Sequence, residues 1–378
     1  MEVFCSLCLR HQTKKRTKMK NILPLLLVVI VYAPVFAQLN FEYDGVTRTY
    51  YMDGPDPIPQ GAPLVFVLHG YSSSAQMIRN YSGFSQLAQQ EGFVAVFPQG
   101  TNDSYNTAHW NANLPGSTTD DHGFLVALAQ HLQQEHGLSA ECTYVCGMSN
   151  GGLMSYSLAC EHPDVFSAIG SVTGTMSTAD FGCTPQEVVP IIHLHGTEDD
   201  IASYDNGVGY PGWGNTGVPD IIGHWTGLMG TTTLNVTQLP NQEAVDTTSV
   251  DFFQHVGALG GQEFHHYRVN GGGHNWFGVF GSPDVDATAV LWGFFSAQCN
   301  GDFMSINNAH IAETLIERRG SGVILRSAGR IDLFDLQGRL VGTQQMIPNQ
   351  LWIPTGHGIR LLHATTHDGR QEVLLLWD

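Results

Sequence analysis

TYVCGMSNGGLMSYSLACEHP, residues 143–163, decides how this chain is read. Its first five residues are apolar or small and suit a buried strand. From Gly152 the apolar residues recur at helical spacing up to Pro163, which ends the pattern. Between the two lies Gly147-Met148-Ser149-Asn150-Gly151, a Gly-x-Ser-x-Gly turn. A serine on a tight strand-to-helix turn has an exposed hydroxyl and a helix N-terminus beside it, as a nucleophile requires. Glycine is expected at 147 and 151 because strand and helix pass closely there. The backbone N–H of Asn150 is then a candidate oxyanion donor.

Outward from this turn, short apolar runs alternate with helical patterns. PLVFVLHG (63–70), FVAVFPQG (93–100), FSAIGSVTG (166–174), VVPIIHLHG (188–196) and EFHHYRVNG (263–271) read as strands. Residues 121–137 read as a helix capped by Asp120 or Asp121, 285–298 as one capped by Asp284, and about 218–229 as one inside a Gly-, Pro- and Trp-rich insertion, 201–245. Such alternation predicts an α/β fold with a doubly wound, mostly parallel sheet, whose active site lies beyond the carboxyl ends of the strands. His69, Ser149, His195 and Asp199 fall there.

A serine nucleophile needs a base, a group orienting that base and a second oxyanion donor, with acid and histidine following the serine in this fold. Glu198, Asp199 and Asp200 stand at the end of one strand, and any of them suits the acid. His274, on the glycine-rich loop VNGGGHNWFG, is the candidate base, while His265 and His266 lie within a strand. The N–H of Tyr71, beside Gly70, is the second donor, and His69 reads as a hydrogen-bonded former of that loop. Tyr71, Trp110, Tyr210, Trp213 and Trp276 cluster near the expected mouth, and Trp110, Trp213 and Trp276 are candidates to line a substrate.

Two other classes fit less well. A metal-dependent hydrolase would draw on His193, His195, His265, His266 and His274, but His-x-His-x-Asp-His is absent. A non-catalytic binding protein on a hydrolase fold would leave Ser149, Asp199 and His274 apart. No phosphate-binding GxxxxGK and no strand-linked GxGxxG occurs, so no nucleotide cofactor is expected, and hydrolysis through a serine acyl-enzyme calls for no other cofactor and no metal.

The charge is uneven across the chain's net −18: residues 38–300 hold 25 acidic residues against Arg48, Arg79 and Arg268. That excess disfavours nucleic acid and anionic membranes as partners. Residues 1–37, with a basic stretch and the run ILPLLLVVIVYAPVF, read as a signal peptide for a secreted or cell-surface protein, with Met19 a plausible true start. Export permits disulfides, and the five remaining cysteines leave at least one unpaired. Cys142 and Cys146, about 13 Å apart in a strand, should not bridge each other, and Cys160–Cys183 is the preferred bond among the pairings left open. Residues 38–300 form the expected catalytic domain. Residues 301–378 are near neutral, with hairpin patterns at 323–345 and 359–377, and read as a small all-β sandwich domain.

LHGYSSSA, DDHGFLVALAQHL, YVCGMSNGGLMSYSLACEHPDVF, CTPQEVVPIIHLHGTEDDIASY and GGGHNWFG together resemble secreted polyhydroxybutyrate depolymerase and feruloyl esterase-like α/β-hydrolases over about residues 40–300. The resemblance implies hydrolysis of polyhydroxyalkanoate, feruloyl or acetyl-xylan esters by a serine triad: nucleophile Ser149, acid Asp199 in preference to its neighbours, base His274. Tyr71 stands where the family commonly has Cys, and IASY (201–204) where it has VVPY. IDLFDLQGRLV (331–341) is similar to the sorting domain read by the type IX secretion system, implying that machinery as a partner.

Overall fold

The computed structural model describes residues 38–299 except 209–212, 215 and 243–244, and beyond them the backbone of seven strands between 316 and 376. The expected signal peptide, 1–37, lies outside the described residues.

The described residues open with an antiparallel pair, β1 (Leu39–Tyr43) and β2 (Val46–Asp53). There follow β3 (Leu64–Leu68), α1 (Ala75–Tyr81), α2 (Phe84–Glu91), β4 (Val94–Pro98), α3 (Asp121–His136), β5 (Thr143–Met148), α4 (Asn150–Glu161), β6 (Ala168–Val172) and β7 (Ile191–Gly196). α5 (Val218–Met229), β8 (Thr233–Gln238), β9 (Ser249–Val256), β10 (Phe264–Asn270) and α6 (Ala287–Gln298) complete this part. One ten-stranded sheet has the order β1-β2-β4-β3-β5-β6-β7-β10-β9-β8. The run from β4 to β10 is parallel, with antiparallel strands at both edges. Every residue of β3, β4, β6 and β7 is buried, which is why β3 (LVFVL) and β4 (VAVFP) are unbroken apolar runs and not alternating ones, whereas β7 (IIHLHG) buries His193 and His195 among its apolar residues. With the β5-turn-α4 crossing at its centre, this is an α/β-hydrolase fold.

The helices pack where the sequence makes room. A Cβ on Gly170 of β6 would stand 2.3 Å from Leu291 of α6, so glycine admits that helix, and Phe295 stacks on Tyr144 of β5 at 4.9 Å. Asp120 caps α3 by accepting from the N–H of Gly123. The cap of α6 is Asp286 and not Asp284: Asp286 accepts from the N–H groups of Thr288 and Ala289, whereas Asp284 is engaged by the N–H of Gln242. The two aspartates lie two residues apart, and the loop's path decides which one reaches the helix N-terminus. The edge strands β1, β2, β8 and β9 were not foreseen; β8 is exposed along its whole length and carries no burial pattern.

Among the described residues two disulfides form, Cys160–Cys183 as expected and Cys142–Cys299, leaving Cys146 free and buried. The second ties the entry to β5 to the end of α6 across 157 residues, against 23 for the first. Loop-closure entropy makes its loss the more costly, about 5 against about 3 kcal/mol. The expected result is that Cys142→Ser/Cys299→Ser unfolds at a lower temperature than Cys160→Ser/Cys183→Ser, read by calorimetry.

Beyond residue 300, β11 (Ile316–Arg319), β12 (Gly322–Leu325) and β15 (Leu351–Trp352) form one antiparallel sheet. β13 (Gly329–Phe334), β14 (Leu340–Met346), β16 (Arg360–Thr366) and β17 (Gln371–Leu376) form another. β13 pairs with β14, and β16 with β17, in antiparallel register. Among the described residues no helix is long and apolar enough to cross a membrane.

Candidate active site

Ser149 sits between β5 and α4 with φ 55° and ψ −116°, a backbone conformation that costs a non-glycine residue about 1–3 kcal/mol. The neighbouring backbone holds it there. A Cβ on Gly147 would lie 2.5 Å from the carbonyl carbon of Gly151, and one on Gly151 would lie 2.3 Å from the carbonyl oxygen of Leu68. The start of α4 is thus pressed against the ends of β5 and β3, and neither glycine tolerates a side chain. The Ser149 N–H donates to Val172 O at 2.8 Å, tying the elbow to β6.

The loop after β3 passes directly beside the serine: a Cβ on Gly70 would be 3.5 Å from that of Ser149. Among the described residues the N–H groups of Tyr71 and Asn150 donate to nothing, which leaves two backbone donors at the elbow. Both are held in place. The Asn150 side chain accepts from the Trp110 N–H at 2.7 Å and donates to the Trp110 carbonyl at 2.9 Å. The Trp110 indole in turn donates to His69 O at 3.1 Å. His69 donates through Nδ1 to Gly70 O and accepts at Nε2 from the N–H of Gly100 and the amide of Gln99. Burial pushes His69 down to about 4, so the ring is neutral and forms the loop.

At the end of β7 the three adjacent acids separate by burial. Asp199 is 4% exposed, whereas Glu198 and Asp200 face solvent. Asp199 Oδ1 accepts from the N–H groups of Ile201 (2.9 Å) and Ala202 (2.8 Å). Its Oδ2 accepts from His274 Nδ1 at 2.7 Å and lies 3.4 Å from His195 Nε2. Burial alone pushes this carboxyl up, but the hydrogen bonds from His195 and His274 outweigh it and hold the group well below the usual carboxylate range. With its Nδ1–H on the carboxylate, His274 presents Nε2 as the atom that can take a proton. Glycines bring the two loops together: a Cβ on Gly196 would meet Gly272 O at 2.1 Å, and Glu198 N donates to that same oxygen.

The structure therefore joins Asp199 to His274 and sets Ser149 beside the Gly70–Tyr71 loop, all at the carboxyl ends of the parallel strands. Among the described residues no hydrogen bond links Ser149 Oγ to His274. Of the three tryptophans expected to line a substrate, two are corrected. Trp110 and Trp276 are wholly buried, their indoles donating to His69 O and Thr288 Oγ1, because large aromatic side chains with a satisfied N–H complete the core as readily as a site. Trp213 is part-exposed and meets Tyr71 edge-on at 4.9 Å. Tyr210 lies outside the described residues. Asp103, which accepts from the Tyr71 hydroxyl at 2.7 Å, belongs to no recognisable spacing, and the Gly-x-Ser-x-Gly turn points to the N–H of Asn150 without announcing the partner of its side chain.

His193, His195 and His266, which could have been metal ligands, use both ring nitrogens in hydrogen bonds within the protein. No group of three or more metal-ligating side chains occurs among the described residues.

Residues 49–245 match the family described as Esterase PHB depolymerase. Poly(3-hydroxyalkanoate) depolymerase C of Paucimonas lemoignei is 30% identical over 34% of this chain and 33% of its own length. Feruloyl esterase B of Talaromyces stipitatus is 23% identical over 68% of this chain and 79% of its own. Among solved structures, the acetyl xylan esterase from Aspergillus awamori has a TM-score of 0.49 at 13% identity, covering 69% of this chain and 99% of that one. The chain spans about half or less of the length of the first curated relatives it matches.

Proposed function

Because this chain belongs to the esterase PHB depolymerase family, we propose that it hydrolyses carboxylic esters through an acyl-enzyme on Ser149. The observation that carries the reading is the Asp199–His274 hydrogen bond at 2.7 Å, formed at the same end of the sheet as a serine on a strained elbow. His274 Nε2 takes the Ser149 proton as Oγ attacks the ester carbonyl. Asp199 holds the imidazole in the required tautomer and stabilises the imidazolium that forms. The N–H groups of Tyr71 and Asn150 receive the negative charge on the carbonyl oxygen. The tetrahedral intermediate collapses, the alcohol leaves with the proton held by His274, and water then releases the acid by the same steps in reverse. The acyl group is that of a polyhydroxyalkanoate, a feruloyl ester or acetylated xylan. Residues 1–37 direct export and 301–378 act as a sorting domain for type IX secretion.

The test is a hydrolysis panel of short-chain nitrophenyl esters, methyl ferulate, acetylated xylan and polyhydroxybutyrate film, run with and without chelator. Turnover of at least one ester, unchanged by chelator, is expected. Inactivity on all of them, or loss of activity to chelator, overturns the reading.

A further inference from the structure

Behind Asp199 a line of buried side chains runs back into the core. The Tyr156 hydroxyl on α4 meets His193 Nδ1 at 2.7 Å, and His193 Nε2 meets His195 Nδ1 at 3.1 Å. His195 Nε2 then meets Ala202 O at 2.7 Å and lies 3.4 Å from Asp199 Oδ2. None of Tyr156, His193 or His195 is exposed at all. The two histidines are alternate residues of β7, so they share a face, and their rings are stacked with 7° between planes.

The direction of every bond in this line follows from its end. A carbonyl and a carboxylate oxygen can only accept, so His195 Nε2 carries the proton. In a neutral ring Nδ1 is then the acceptor, so His193 donates from Nε2 and accepts at Nδ1, where the Tyr156 O–H donates. Burial first, and then the nearness of the His195 and His266 imidazoles, hold His193 far below its ordinary value, in agreement with a neutral ring. Three donors thus point the same way, towards the acid.

Resting on the triad read above, we propose that His195, backed by His193 and Tyr156, is a positioning residue for Asp199. It acts at two atoms. Its Nε2 lies 3.4 Å from Oδ2, the same oxygen that accepts from His274, and it anchors the carbonyl of Ala202, whose own N–H donates to Asp199 Oδ1. One side chain therefore fixes both the carboxylate and the turn that wraps it. His266 supports the same strand pair, with Nδ1 donating to His193 O and Nε2 accepting from the Tyr204 hydroxyl.

The experiment compares His195→Gln with His195→Asn and His195→Leu in the full chain, measuring kcat, KM and thermal unfolding. A glutamine amide reaches the place of Nε2, whereas an asparagine amide stands only where Nδ1 was. Loss of a hydrogen bond to a charged group is worth about 10- to 100-fold. The expected result is that Asn and Leu lower kcat by about that factor with KM within about twofold, while Gln stays within about fivefold of the parent. If Leu fails to fold, the Gln–Asn pair alone decides. Tyr156→Phe is expected to lower kcat by a few-fold. Equal kcat for Gln and Asn, or a loss confined to KM, overturns the proposal. Ser149→Ala keeps the two readings apart: activity surviving there sinks the triad itself, while an inactive Ser149→Ala beside an undiminished His195→Asn sinks only the positioning role.

Discussion

Ser149→Ala is expected to lower kcat/KM for a short-chain ester by at least about 10⁴-fold, because no other group at the elbow can form the acyl bond and oxyanion donors alone retain only a residue of the rate. Binding of the intact ester should survive, since Tyr71, Asn150 and the mouth are untouched. Ser149→Gly is equally inactive but differs in stability. The serine is held at φ 55°, and glycine accepts positive φ without penalty, so this variant should gain about 1 kcal/mol over Ser149→Ala. Kinetics on the purified variants and denaturant unfolding read the two effects separately. Substantial hydrolysis by Ser149→Ala would place the nucleophile elsewhere.

Asp199→Asn is expected to cost about 10³- to 10⁴-fold in kcat. The carboxylate accepts from two backbone N–H groups and from His274 Nδ1. An amide must turn one NH₂ towards a donor, which favours the wrong tautomer of His274 and leaves an N–H unsatisfied. The same group links stability to pH. Its folded value is held below the unfolded one, so its contribution is fully present above the unfolded value of about 4 and is lost as pH falls towards the folded one. Stability curves of the parent and Asp199→Asn should therefore lie furthest apart near neutrality and converge below about pH 4. Curves separated by a constant amount down to strongly acid pH would contradict the assigned hydrogen bonds.

Much of this molecule is legible in short stretches. The elbow at Ser149 was readable because strand, turn and helix lie within twenty residues and each carries its own signal. Gly147 and Gly151 mark the close crossing without reference to the rest of the chain. The helices α3 and α4 show a limit for the same reason, through Asp120 and Pro163. The Cys160–Cys183 bond spans only 23 residues and was foreseen, whereas Cys142–Cys299 spans 157 and was not.

Tertiary structure decided whatever depends on which side of a chain faces the core. Glu198, Asp199 and Asp200 are consecutive acids, and their spacing alone does not distinguish them. The approach of the Gly272 loop buries one of them and brings His274 to it. Trp110 and Trp276 carry the same composition signal as Trp213, yet packing places the first two inside and leaves the third at Tyr71. The line from Tyr156 through His193 and His195 joins residues on α4 and β7, so no local pattern announces it. Local signals reflect backbone preferences over a few residues; burial and hydrogen-bond partners depend on chain segments that only folding brings together.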